Sequence, residues 1–147
     1  MIKILFVCRG NICRSPMAEF IMKDLVEKAG REEFEIASCA TSTEELGKPI
    51  YPPAKRLLEN HGISCEGKRA RQMTGKDYDY YDYIIAMDEY NLRNMARFVG
   101  NYKDNKVSLL MDYTDRPGDV ADPWFMGDFD TTWNDIVAGC KGLLERL

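Results

Sequence analysis

No stretch of this sequence stays apolar long enough to cross a membrane or to form the core of a secretion signal. The opening run, Ile4-Leu-Phe-Val-Cys8, spans only five residues. Basic residues do not predominate either: 20 Lys and Arg stand against 24 Asp and Glu, a net charge of −4. The positive field that coats a nucleic acid backbone is therefore missing. Histidine occurs once, and no cluster of His, Cys and carboxylates has metal-ligand spacing. Neither G-x-x-x-x-G-K-S/T nor G-x-G-x-x-G is present, which removes the usual nucleotide and dinucleotide loops. The absence of C-x-x-C leaves no zinc ribbon and no thioredoxin-like redox pair. Internal repeats, linkers and low-complexity tracts are lacking too. Cysteines are few and odd in number, five in 147 residues. Without a secretion signal they point to reduced thiols in a cytoplasmic compartment. What is left is an ordinary globule, 45% hydrophobic and 30% charged. Residues 1–147 make one domain's worth, large enough to bury a core without disulfides.

Within that frame the chain changes period several times. Met1–Val7 is rich in β-formers and mostly apolar, as in a strand buried on both faces. Cys8-Arg-Gly-Asn-Ile-Cys-Arg-Ser15 follows as a loop. Pro16 suits the first turn of a helix, with Ser15 as its expected N-cap. Met17, Ala18, Ile21, Met22, Leu25, Val26 and Ala29 line one stripe of that helix, and Gly30 stops it. Further strands are expected at Phe34–Ala40, near Ile63–Cys65, at Tyr83–Met87 and at Val107–Met111. Helices are expected from Pro52 to His61-Gly62 and from Glu89 to Val99. A third covers the C-terminal segment, where Trp133, Ile136, Val137, Cys140, Leu143, Leu144 and Leu147 recur at i, i+3, i+4. Asp77–Tyr83 reads as a helix end leading into a strand, since it lacks the glycine and closing glutamate of a calcium loop. His61 reads as a solvated helix-end residue, and Lys68, Arg69 and Arg71 as a solvated edge. Alternating strands and helices predict an α/β domain with a parallel sheet covered on both faces. Ligands in such sheets bind beyond the carboxyl ends of the strands, at a topological switch point. If the first strand is central, the loop from Cys8 to Ser15 lies there.

That loop has the spacing C-x5-R, from Cys8 to Arg14, followed by Ser15. A short loop curled around an anion turns successive N–H groups inward, and the helix after it adds its own free N–H groups and dipole. Gly10 and Asn11 are the residue types that tolerate a left-handed backbone in such a cradle. Arg14 can grip two phosphate oxygens in a bidentate fork. Cys8 would lie beneath the phosphorus. Helix N-termini and nearby cations lower a cysteine pKa from about 8.5 to roughly 3.5–7.5, so the same surroundings favour a thiolate. Ser15 either donates a hydroxyl hydrogen bond to that thiolate or caps the helix. A phosphate site with a nucleophile at its base suits phosphoryl transfer to sulfur followed by hydrolysis.

Val7-Cys-Arg-Gly-Asn-Ile-Cys-Arg-Ser-Pro-Met-Ala-Glu19 resembles the phosphate-binding loop of the low-molecular-weight protein tyrosine phosphatases. The likeness continues through Ala70-Arg-Gln72, Tyr83–Asp88 with Asn91-Leu92, and Asp122-Pro-Trp-Phe125, and covers essentially the whole chain. The resemblance implies a four-stranded parallel twisted sheet flanked by helices, with no metal or cofactor. It implies a monomer that hydrolyses phosphotyrosine proteins or aryl phosphates through a phosphocysteine and releases inorganic phosphate. Cys8 and Arg14 take the nucleophile and clamp roles, and Arg9, Gly10, Asn11, Ile12, Cys13 and Ser15 complete the cradle. Seven aspartates lie between positions 112 and 135. The resemblance singles out Asp122 as general acid and then base, with Asp115 and Asp119 as fallbacks. Beside it, Trp124 and Phe125 would form a wall for a phenyl ring.

Three positions depart from the family pattern. Glu44 stands where many relatives have an aromatic residue at the pocket mouth, which is expected to weaken stacking and disfavour acidic peptides. Lys68 replaces a loop-bracing histidine, and Arg9 adds a cation to the rim. Cys13 is either an inert packing residue or the partner of Cys8 in a reversible disulfide after peroxide oxidation. The protein-arginine phosphatase branch has Thr at the position of Ile12 and smaller residues at Trp124 and Phe125. Those differences favour phosphotyrosine here. An arsenate reductase would need a second cysteine pair on a mobile segment, and a phosphate-binding adaptor would lack Cys8 or Asp122.

Overall fold

The protein, seen in a computed structural model, is described over residues 1–100 and 105–147, and at Phe125 and Met126 by backbone alone. The described elements run β1 (Ile2–Cys8), α1 (Arg14–Lys28), β2 (Phe34–Ala40), α2 (Pro52–Asn60), α3 (Gly75–Tyr80) and β3 (Tyr83–Ala86). They continue with α4 (Glu89–Val99), β4 (Val107–Leu109), a 3-10 turn (Leu110–Tyr113), α5 (Pro123–Met126) and α6 (Phe129–Glu145). Successive side chains of β1 leave on opposite faces. Ile4, Phe6 and Cys8 join a core built with α1, α2 and α6, while Leu5 and Val7 join a second with α3 and α4. The opening apolar run is thus a strand covered on both sides, as predicted.

β1 pairs in parallel with β2, from Ile2 opposite Phe34 to Cys8 opposite Ala40, and with β3, from Ile4 opposite Tyr83 to Val7 opposite Ala86. Among the described residues the sheet has four strands in the order β2-β1-β3-β4. The chain winds one way from β1 to β2 and then returns past β1 to β3. The switch point therefore falls between β1 and β3, and the loop after Cys8 opens from it.

Two expectations need correction. Ile63–Cys65 forms no strand. Gly62 turns the chain at φ 75, the Ile63 N–H returns to the Leu58 carbonyl, and Cys65 drops into the core as a loop anchor. β4 stops at Leu109 because the Asp112 carboxylate accepts the Leu109 N–H at 3.0 Å and coils the chain into the 3-10 turn. α6 begins ahead of the apolar pattern, where Asp128 caps the N–H groups of Asp130 and Thr131. α6 also lies directly on that turn. A Cβ at Gly139 would collide with the Leu110 side chain, and one at Gly142 with the Tyr113 carbonyl. Among the described residues no helix is long and apolar enough to cross a membrane.

Candidate active site

The loop between β1 and α1 takes its shape from where its carbonyls go. Those of Cys8, Arg9 and Ile12 point outward to the N–H groups of Thr41 (3.0 Å), Ser42 (3.1 Å) and Tyr51 (2.9 Å), and that of Cys13 points into α1 to Met17 (3.1 Å). In a trans peptide the N–H lies opposite the C=O. The N–H groups of Arg9, Gly10, Cys13 and Arg14 therefore face the hollow. Asn11 makes the bend possible: at φ 58 it is the one non-glycine residue with positive φ among those described. Gly10 does not share that conformation, contrary to expectation. A Cβ there would sit 3.3 Å from Glu45 Cγ, a tight approach.

Asn11 is fully buried behind the loop and bonded on every side. Its N–H donates to Cys8 Sγ (3.3 Å), Nδ2 donates to Ser15 Oγ (2.8 Å) and Ser38 Oγ (2.9 Å), and Oδ1 accepts from the Arg71 N–H (3.2 Å). Ser15 is not the helix cap. Cys13 holds the N-cap position with no side-chain capping bond, and Ser15 Oγ, within the first turn, lies 2.9 Å from Cys8 Sγ. Against a thiolate, which can only accept, the hydroxyl must be the donor. A second layer continues inward: Ser38 Oγ donates to Glu19 Oε1 (2.6 Å), and Lys68 Nζ reaches the Ser38 carbonyl (2.9 Å) and Glu19 Oε1 (3.4 Å). Lys68 is therefore a strut of the loop rather than part of a solvated edge. Burial lowers its pKa from the ordinary lysine value, and Glu19 opposes that shift. Arg71 also leaves the edge, forked onto Asp77 at 3.0 and 3.1 Å, whereas Arg69 stays exposed. His61 is exposed and stacks on Trp133 with ring centroids 4.2 Å apart.

Arg14 enters the hollow from α1 with its guanidinium already fixed. Nη1 meets Asp88 Oδ2 at 2.9 Å and the Val120 carbonyl at 3.0 Å, and Nη2 lies 3.6 Å from Asp122 Oδ2. Asp122 caps α5, its Oδ1 accepting the Trp124 N–H at 3.0 Å. Of the fallback acids, Asp119 accepts the Glu89 N–H and Asp115 is exposed; neither lines the hollow. The hollow measures about 280 Å³ and is lined by the buried Cys8, Ile12, Cys13 and Arg14 and, toward solvent, by the more exposed Arg9, Glu44, Asp122 and Trp124. Glu44 does not stand there as a free charge, because Arg9 Nη2 meets its Oε1 at 2.6 Å. Trp124, 56% exposed, rests on Tyr51 with ring centroids 4.5 Å apart. The Phe125 side chain lies outside the described residues. The Cys13 thiol is pushed up to about 12, first by burial and next by the charge of Cys8.

Sequence reasoning missed Asp88, Ser38, Glu19 and Tyr51. Only Asp88 left a usable signal, the Asp88-x-x-Asn91 capping box that opens α4. Among the described residues no group of His, Cys, Asp and Glu could hold a metal ion.

Comparison with known proteins agrees with this geometry. The family model for low molecular weight phosphotyrosine protein phosphatases matches residues 3–147. The chain is 40% identical over 150 residues to the low molecular weight protein-tyrosine-phosphatase YfkJ of Bacillus subtilis, covering all of this chain (100%) and 96% of the relative. The crystal structure of YfkJ superposes with a TM-score of 0.95 at 38% identity, covering 99% of this chain and 94% of that one. A chicken (Gallus gallus) low molecular weight phosphotyrosine protein phosphatase is 39% identical over 97% of this chain and 94% of its own length. A Drosophila arginine phosphatase superposes with a TM-score of 0.88 at 33% identity, covering 99% and 97% of the two chains. With a family match over nearly its full length and a cradle of this shape, the chain belongs to the low molecular weight phosphotyrosine protein phosphatases, a family of hydrolases.

Proposed function

We propose that this protein hydrolyses phosphotyrosine on proteins, or related aryl phosphates, through a phosphocysteine at Cys8. The observation that carries the reading is one hollow lined together by Cys8, Arg14 and Asp122. The Cys8 thiolate, held by the Asn11 N–H and the Ser15 hydroxyl, attacks phosphorus. A P–S bond forms, the bond from phosphorus to the phenolic oxygen breaks, and the Asp122 carboxyl gives its proton to that oxygen. Water then attacks the phosphocysteine and Asp122, now a carboxylate, takes the proton. The P–S bond breaks to return the thiolate and release inorganic phosphate. Arg14 and the inward N–H groups stabilise the equatorial oxygens of a loose transition state. Asp88 and the Val120 carbonyl anchor one side of the guanidinium, so the rest is aimed without rearrangement.

Trp124 offers a face for the phenyl ring, and the depth of Cys8 beneath it favours an aryl ester over phosphoserine. Arg9 and Glu44 set the charge of the rim together. Cys13 gives the site a redox response by condensing with a Cys8 sulfenic acid. The protein is read as a cytoplasmic monomer, in keeping with its five free thiols.

Phosphate release from phosphotyrosine, phosphoarginine and phosphoserine peptides tests the reading. Phosphotyrosine should be preferred, Cys8→Ser should abolish turnover, and Asp122→Ala should lower it about 10²–10⁴-fold. A preference for phosphoarginine would keep the mechanism and overturn the substrate class assigned from Ile12 and Trp124. Activity surviving in Cys8→Ser would overturn the mechanism itself.

A further inference from the structure

The two residues ahead of Asp122 have all four of their backbone polar groups held. The Val120 N–H donates to the Met87 carbonyl at 2.8 Å, and the Val120 carbonyl accepts from Arg14. Ala121 is held from the other side by α6. Its N–H donates to Asp135 Oδ2 at 3.2 Å, and its carbonyl accepts from Thr132 Oγ1 at 2.8 Å. The second Asp135 oxygen accepts from Arg116 Nη2 at 3.2 Å, so the same carboxylate ties down an earlier point of the loop. Thr132 is fully buried and Asp135 is 6% exposed. Three residues apart, they share one face of α6, and their neighbours Trp133, Ile136 and Cys140 are core residues. A helix that only covered the sheet would place apolar groups at both positions. These two converge instead on one residue, Ala121, next to the carboxylic acid.

We infer that Thr132 and Asp135 are positioning residues for Asp122. They bind Ala121 to α6 and so fix the carboxyl group of the next residue at the mouth of the hollow, where a leaving oxygen departs. This rests on the assignment of Asp122 as general acid. Proton donation needs the acid within hydrogen-bond reach of the leaving oxygen, and a displacement of about 1 Å can cost about 10²-fold in rate.

The test is the dependence of kcat/KM on leaving-group pKa over a series of aryl phosphates. With a proton supplied, the phenol leaves neutral and the rate depends little on its pKa; without one, the rate falls as that pKa rises. Each variant is assayed well below its own melting temperature. The wild type should give a shallow slope and Asp122→Asn a steep one. Thr132→Val and Asp135→Ala should lose roughly tenfold or more on phenyl phosphate, yet within about threefold on dinitrophenyl phosphate, whose phenol needs no proton. Thr132→Ser, which keeps the hydroxyl, should retain the wild-type slope. Added to Asp122→Asn, neither substitution should steepen the slope further, because the acid they position is gone. Equal losses on both substrates, or no losses, would overturn the positioning role while a steep Asp122→Asn slope left the acid assignment standing. A shallow slope for Asp122→Asn would overturn the acid assignment, and the positioning role with it.

Discussion

Cys13 lines the hollow with Cys8, yet its surroundings make it a different reagent. Burial is the first reason its thiol is pushed up to about 12, and the charge on Cys8 is the second. When peroxide turns the Cys8 thiolate into a sulfenic acid, that second cause disappears and Cys13 ionises more readily. In the proposed redox response, attack of its sulfur on Cys8 would then form an S–S bond and expel the sulfenic oxygen as water. After brief peroxide exposure and reduction with a dithiol, the wild type should recover most of its activity and Cys13→Ser much less. Equal recovery would remove Cys13 from the redox chemistry. Of the residues proposed to react, Cys8 and Arg14 stand out by residue type and spacing, a cysteine and an arginine six positions on, whereas Asp122 stands out only through the family resemblance. Gly10 and Lys68 were misread, and Ser15 was left between two roles, because neighbours outside the motif's spacing decide them. Glu45 crowds Gly10, Asn11 engages Ser15, and Glu19 with Ser38 draws Lys68 inward.

Among the elements, α6 has the most exacting fit, and the fit depends on what two residues lack. An alanine in place of a helical glycine ordinarily stabilises by about 1 kcal/mol. At Gly142 the added methyl would strike the Tyr113 carbonyl, which belongs to backbone and cannot rotate aside. Gly142→Ala should therefore destabilise the protein by about 1–3 kcal/mol, measured as a lower urea midpoint with an unchanged m-value. A raised midpoint would show that α6 can shift away from the turn at no cost. The apolar period of α6 was visible in the sequence because burial repeats with the helical turn. Its glycines carry no such pattern; their meaning comes from the 3-10 turn against which they pack. Ile63–Cys65 failed for a related reason: three apolar-leaning residues fit a short strand and a buried loop anchor equally well.

Across the whole molecule, buried thiols make stability fall as the solution turns alkaline. Burial raises the ionisation of Cys39 and Cys140 above the ordinary thiol range, as it does that of Cys13. In the unfolded chain these groups ionise near pH 8.5 or so. Above that the unfolded state holds fewer protons than the native one, so stability falls as pH rises. Below it their contribution is complete. Each thiol adds a slope of up to about −1.4 kcal/mol per pH unit. Cys140→Ala should thus show a shallower fall in unfolding free energy between about pH 8 and pH 10 than the wild type; parallel declines would refute the attribution. The α/β class and the central first strand were readable at this scale because each element announces itself locally. The anchoring of Arg14 by the loop ahead of the acid was not, since it joins residues 106 positions apart.

That separation has a further consequence during synthesis. Arg14 and the carbonyl that anchors it are 106 positions apart in the chain. At about 5–20 residues per second, roughly 5–20 s pass between translation of the cysteine loop and translation of the acid loop. For that interval the nascent chain carries the proposed nucleophile without the proposed proton donor. On that mechanism, capture of a phosphate can precede turnover on the ribosome.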